Sequence, residues 1–140
     1  MTPAVGGVAV GDVIAEQTYH LDRDRLVRYA GASGDFNPIH YRDDVARSVG
    51  LPGVLAHGML TMGVAVQPVV DWLGGDARRI TDYRVRFTRP VLVDADSGAD
   101  ITVVAKVGAL DDEGARIDLT VTFGGETVLG KAQVRVTLPE

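Results

Sequence analysis

The chain contains no cysteine in 140 residues. Disulfides and thiolate metal sites are therefore excluded, and a reducing compartment such as the cytoplasm is the expected setting. Aromatic residues are scarce, with three Phe, four Tyr and one Trp, so the core must be built from Val, Leu, Ile and Ala. No uninterrupted apolar run reaches the ~20 residues that a bilayer crossing needs, and no basic-then-apolar leader opens the chain. No membrane partner is expected. Positive charge is also in deficit, at 14 Lys and Arg against 19 Asp and Glu, a net −5. Phosphate backbones require a concentrated basic surface, so nucleic acid is not expected as a partner either. What is present suits one globular domain over residues 1–140: 46% hydrophobic residues, 24% charged, and enough length to bury roughly two-thirds of the unfolded surface. Residues 1–11 are small, uncharged and Gly-rich, and read as a flexible lead-in.

Three zones follow from pattern. Residues 13–20 read as a strand, and Asp22 is positioned to cap a helix with Leu26, Val27 and Ala30 on its apolar side, ending near Gly31. A loop is expected over residues 31–38, and then a short helix capped by Asp43 and stopped by Gly50. Residues 58–73 are apolar nearly all round, which predicts a core helix buried on every side. Within it Pro68 removes a backbone donor, so a kink or a restart is expected there. From Arg79 onward the pattern turns to strands: alternation over 83–87, β-branched residues over 101–107, alternation over 117–123, a Gly124-Gly125 turn and a last strand over 127–138. One buried helix followed by antiparallel strands predicts an α+β fold in which a sheet wraps the helix.

The segment richest in chemistry is Ser33-Gly34-Asp35-Phe36-Asn37-Pro38-Ile39-His40. It sets a carboxylate, an amide and an imidazole within six residues on a backbone stiffened by glycine and proline. Asp35 and His40 can serve as an acid–base pair on one water or one proton. The same residue types also suit a turn with no chemistry at all, since Asp and Asn bond readily to their own backbone.

The run from Tyr29 through Asp35, Asn37 and Pro38 to His40 resembles the signature of the MaoC-like, (R)-specific enoyl-thioester hydratases and dehydratases. Ala56-His57-Gly58-Met59-Leu60 resembles their second motif. The wording of these motifs and of Tyr83-Arg84-Val85-Arg86-Phe87-Thr88 is most similar to the B-type subunit of the actinobacterial (3R)-hydroxyacyl-ACP dehydratases. The resemblance implies a hot-dog fold and reversible hydration of trans-2-enoyl thioesters, in fatty-acid or related acyl metabolism. It places catalysis on Asp35 and His40, and Gly58, opening the central helix, would offer its backbone N–H to the thioester oxygen. No metal and no cofactor are implied; CoA or phosphopantetheine would arrive as the substrate's carrier. The family pairs two hot-dog units, so a homodimer, or a heterodimer with a related subunit, is expected.

Supporting roles are open to several residues. Asn37 could orient the dyad or simply form the turn before proline, and Ser33 could donate to the same loop. His57 could shape the start of the helix, Met59 could line the acyl pocket, and His20 reads as surface. Arg78, Arg79, Arg84, Arg86 and Arg89 gather positive charge that could dock a carrier's phosphates or an acidic carrier protein, with Arg84 and Arg86 the leading candidates; a solvated strand face is the alternative. Two other functions compete. A hot-dog thioesterase would carry its carboxylate on or near the central helix, where only Asp71 is available, and a non-catalytic acyl-binding subunit would have no use for both Asp35 and His40.

Overall fold

Valine-rich alternation becomes one antiparallel sheet in the computed structural model, which describes residues 7–138. Its strands are β1 (Val13–Leu21), β2 (Ile80–Phe87), β3 (Ala99–Asp111), β4 (Gly114–Phe123) and β5 (Glu126–Val136), in the order β1-β3-β4-β5-β2. Ile101, Val103, Ala105 and Val107 of β3 and Ile117 and Val121 of β4 point to one side and are fully or almost fully buried. The other side carries Thr18, Thr102, Arg116 and Asp118, which bond among themselves in cross-strand or near-neighbour pairs. Period-two alternation thus gives a sheet with one dry and one wet face.

The dry face holds α3 (Gly58–Trp72). Thr61, Val64, Ala65, Pro68, Val69 and Trp72 form its buried stripe at the i, i+3, i+4 spacing of a helix face. The expectation of burial on every side fails here. Gly58, Met59, Gly63, Gln67 and Asp71 form a second stripe that is exposed. Nor does Pro68 divide the helix, which runs as one element from Gly58 to Trp72; Pro68 sits on the buried stripe and forgoes the one bond to the Val64 carbonyl. The Tyr83 hydroxyl donates to the Met62 carbonyl at 2.6 Å and fastens the helix to β2.

Three further differences are local. α1 (Arg23–Ser33) begins at its Asp22 cap as expected but passes through Gly31 and ends on Gly34, whose φ of 77° is left-handed. α2 (Asp43–Ser48) contains Asp43 as its first residue and is preceded by Arg42, because the Asp43 carboxylate is used elsewhere, accepting from the Val54 N–H and from Arg23. Of the lead-in, residues 1–6 lie outside the described residues. Gly11 is no loose end, since its N–H donates to the Val107 carbonyl at 2.8 Å.

Candidate active site

Two segments far apart in sequence are laced together at the start of α3. The Leu55 N–H donates to the Ile39 carbonyl at 3.1 Å. In return His40 Nδ1 lies 2.7 Å from the Leu55 carbonyl, and His57 Nε2 lies 3.2 Å from the Asp35 carbonyl. A carbonyl only accepts, so Nδ1 of His40 and Nε2 of His57 must carry the hydrogens. His40 is therefore held in the tautomer whose Nε2 has its lone pair available.

The loop between α1 and the 3₁₀ turn Pro38–His40 is shaped by its own side chains. The Asp35 N–H donates to Ser33 Oγ at 3.1 Å, the Asn37 N–H to Asp35 Oδ1 at 3.2 Å, and the Ile39 N–H to Asn37 Oδ1 at 3.2 Å. Ser33 and Asn37 are thereby scaffold residues, and Asn37 caps the 3₁₀ turn. This leaves Asp35 exposed while His40 is buried. Ligating atoms of Asp35, His40 and His57 all lie within 4.8 Å of one another. The pairing expected of Asp35 and His40 is thus present, and His57 joins it.

His57 is 2% exposed and immediately precedes α3. Its ring stacks on His40 with centroids 3.8 Å apart and planes 22° from parallel, and Tyr29 packs against it edge-on with centroids at 4.7 Å. Burial holds its pKa below the usual histidine value, opposed by the bond to the Asp35 carbonyl. Burial thus favours the neutral ring. A carboxylate with two imidazoles is also a familiar donor set for transition metals. Here one nitrogen of each ring is bonded to a carbonyl and His57 Nδ1 is buried without a partner. The lone pairs of Asp35, His40 Nε2 and His57 Nδ1 remain as donors.

A cleft of about 330 Å³ opens over His40 and is lined also by Gly58, Thr61, Phe87, Arg89 and Val128. As the first residue of α3, Gly58 has an N–H with no acceptor inside the helix, at the end where the dipole is positive. Its lack of a side chain matters, because a Cβ would sit 3.0 Å from the Phe87 ring. Met59 does not face this cleft. It is 59% exposed and lines a separate cleft of about 240 Å³ with Tyr19, Tyr29 and Gln67. Arg84 and Arg86 are likewise absent from the lining of the His40 cleft: both are exposed on the edge strand β2, and Arg84 pairs with Asp82 at 2.8 Å. Arg89 is the arginine of that group which reaches the cleft, 3.7 Å from Glu126. Sequence reasoning gave no role to Tyr29, Phe87 or Arg89 individually. Tyr29 heads the first motif, Phe87 lies in the Tyr83–Thr88 run and Arg89 belongs to the arginine group, so each carried a signal.

Residues 8–122 match the model of the MaoC like domain. The chain belongs to the MaoC-like domain family. A solved MaoC-like dehydratase superposes with a TM-score of 0.93 at 38% identity over 99% of this chain and 43% of the other. An R-hydratase from Pseudomonas aeruginosa superposes at 0.83 with 27% identity, covering 99% and 86%. The 3-hydroxyacyl-thioester dehydratase X of Mycobacterium tuberculosis is 43% identical over 74 residues, 53% of this chain. That match spans only a quarter of the length of dehydratase X. The MaoC-like fold here is the α+β hot-dog architecture expected from the sequence, and no helix among the described residues is long and apolar enough to cross a membrane.

Proposed function

We propose that this MaoC-like chain adds water reversibly across trans-2-enoyl thioesters to give (3R)-hydroxyacyl thioesters. The observation that carries the reading is the convergence of Asp35 with a His40 whose tautomer is fixed by the Leu55 carbonyl. A water set between them gives one proton to His40 Nε2 as its oxygen attacks Cβ, while its other O–H, which stays on the product as the 3-hydroxyl, donates a hydrogen bond to Asp35. Electrons displaced through the conjugated system collect on the thioester oxygen, where the Gly58 N–H meets them. The imidazolium then returns the proton to Cα, and dehydration runs the same steps backward. This chemistry calls for no metal or cofactor; CoA or a carrier-bound phosphopantetheine is the substrate's own handle. The relatives that carry the names hydratase and dehydratase support the reaction class.

Pairing with a second hot-dog unit, of the same or a related chain, is part of the proposal. Inward residues of the central strands are almost wholly buried, whereas Phe87, on the edge strand β2, is 55% exposed. Met59, Gly63 and Gln67 are exposed on the side of α3 that faces Tyr19 and Tyr29. Burying either exposed surface calls for a second unit. A cytoplasmic setting accords with the absence of cysteine.

The test incubates the purified protein with trans-2-enoyl-CoA and quantifies the 3-hydroxyacyl thioester, its configuration and free thiol together. Formation of the (3R) product without thiol release supports the reading. Thiol release would replace it with a thioesterase, and no product from either CoA or carrier-bound substrate would favour a non-catalytic acyl-binding subunit.

A further inference from the structure

A buried histidine with an orphaned nitrogen is an expensive residue. Among the described residues His57 Nδ1 has no hydrogen-bond partner, and an unsatisfied buried polar atom is destabilising. Phenylalanine would offer a similar flat ring to His40 and Tyr29 without that penalty. What phenylalanine lacks is the Nε2–H, which donates to the carbonyl of Asp35. We propose that His57 is the positioning residue of the site, holding Asp35 by its backbone and His40 by its ring face so that the two stay in register.

This proposal rests on the catalytic reading of Asp35 and His40. Asp35 stands on an exposed loop, its carboxylate accepting from the Asn37 N–H and its own N–H donating to Ser33 Oγ. The bond from His57 anchors that peptide to the first turn of α3, the same turn that presents Gly58. The water-holding carboxylate and the thioester-oxygen donor are thus referred to one rigid element. His40 in turn is clamped in two directions, by the Leu55 carbonyl in its ring plane and by the His57 ring across its face. The stacked His57 ring, 3.8 Å away between centroids, offers a π face to the imidazolium that His40 becomes.

Two substitutions separate these functions. His57→Phe keeps the ring and removes the donor; His57→Gln keeps an N–H at the reach of Nε2 and removes the ring. The expected result with trans-2-enoyl-CoA is a fall in kcat of at least about tenfold for His57→Phe, with KM changed by less than about threefold. Its Tm should be unchanged or raised, since the orphaned nitrogen is gone. His57→Gln should recover at least about threefold of the lost kcat. Independently of turnover, amide exchange at His40, whose N–H is bonded to the Asn37 carbonyl, should quicken in His57→Phe and stay slow in His57→Gln. A kcat for His57→Phe within twofold of wild type, or a loss matched by a fall in Tm and not relieved by glutamine, overturns the proposal. Asp35→Asn and His40→Ala are measured alongside. If these keep activity the catalytic reading fails, while the exchange data still decide whether His57 orders the loop.

Discussion

Gly58→Ala separates stability from turnover. A Cβ at this position would meet Phe87 Cε1 at 3.0 Å and Cδ1 at 3.1 Å, so the ring has to move. Phe87 is 55% exposed, and displacing it from its rotamer costs about 0.5–1.5 kcal/mol. Against that, alanine is favoured over glycine in a helix by up to about 1 kcal/mol. The two nearly cancel, and Tm should shift by less than about 4 °C. Turnover should not be spared. The new methyl projects into the cleft shared by His40 and Phe87, where the thioester oxygen must approach the Gly58 N–H. Loss of an oxyanion donor costs about 10²–10³ in kcat; a donor that is present but screened should cost at least about tenfold. Steady-state kinetics on trans-2-enoyl-CoA and a thermal melt on the same preparation read both quantities. Adding Phe87→Ala frees the ring but leaves the methyl in place, so it should not restore kcat. A single variant with wild-type kcat, or restoration in the double variant, would refute the oxyanion assignment.

Other perturbations test neighbouring parts of the account. Asp35→Asn should abolish turnover with little change in Tm, because Asp35 is exposed; His40→Ala should abolish it and also destabilise by about 1–3 kcal/mol, read by urea unfolding, because it strands the Leu55 carbonyl. The Asp43 carboxyl is held below its usual pKa by the Val54 N–H and then by Arg23. A lowered folded-state value gives stability that is present above the unfolded value of 3.8 and is lost as pH falls through the folded one. The stability difference between wild type and Asp43→Asn should therefore shrink below about pH 4 in acid titrations. Arg89→Gln should raise KM for a CoA thioester by about threefold or more and flatten its salt dependence, whereas Arg84→Gln, away from the cleft, should leave both unchanged; equal effects from the two would reject the placement of Arg89.

Local signals in the sequence translated well into local structure. The Asp22 cap and the Asn37-Pro38 turn rely on contacts within a few residues, and the Val-rich strands on alternation along one segment, although their pairing is long-range; each appears where expected. Gly31 misled because one glycine inside a helix costs only about 1 kcal/mol, while the true stop is the left-handed Gly34. The exposed side of α3 was hidden for a different reason. Gln67 and Asp71, four residues apart, mark the C-terminal half of that side, but Met59 and Gly63 are no more polar than their buried neighbours, and composition cannot show which apolar face lacks a partner within the chain. His57 was underrated since its partners, Asp35 and His40, are 22 and 17 positions away. Arg84, Arg86 and Arg89 look alike in sequence, yet of the three it is Arg89, just past the end of β2, that lines the His40 cleft.

The central claim is that Asp35 and His40 act as one unit on one water. It is tested most directly by kcat/KM for Asp35→Asn, His40→Ala and the double variant on a trans-2-enoyl thioester. Residues that share one step lose nearly everything with the first substitution, so the double variant should be no worse than about threefold below the weaker single one. Losses that multiply, or a single variant that retains wild-type turnover, would show that the two residues do not share that step and would contradict the account.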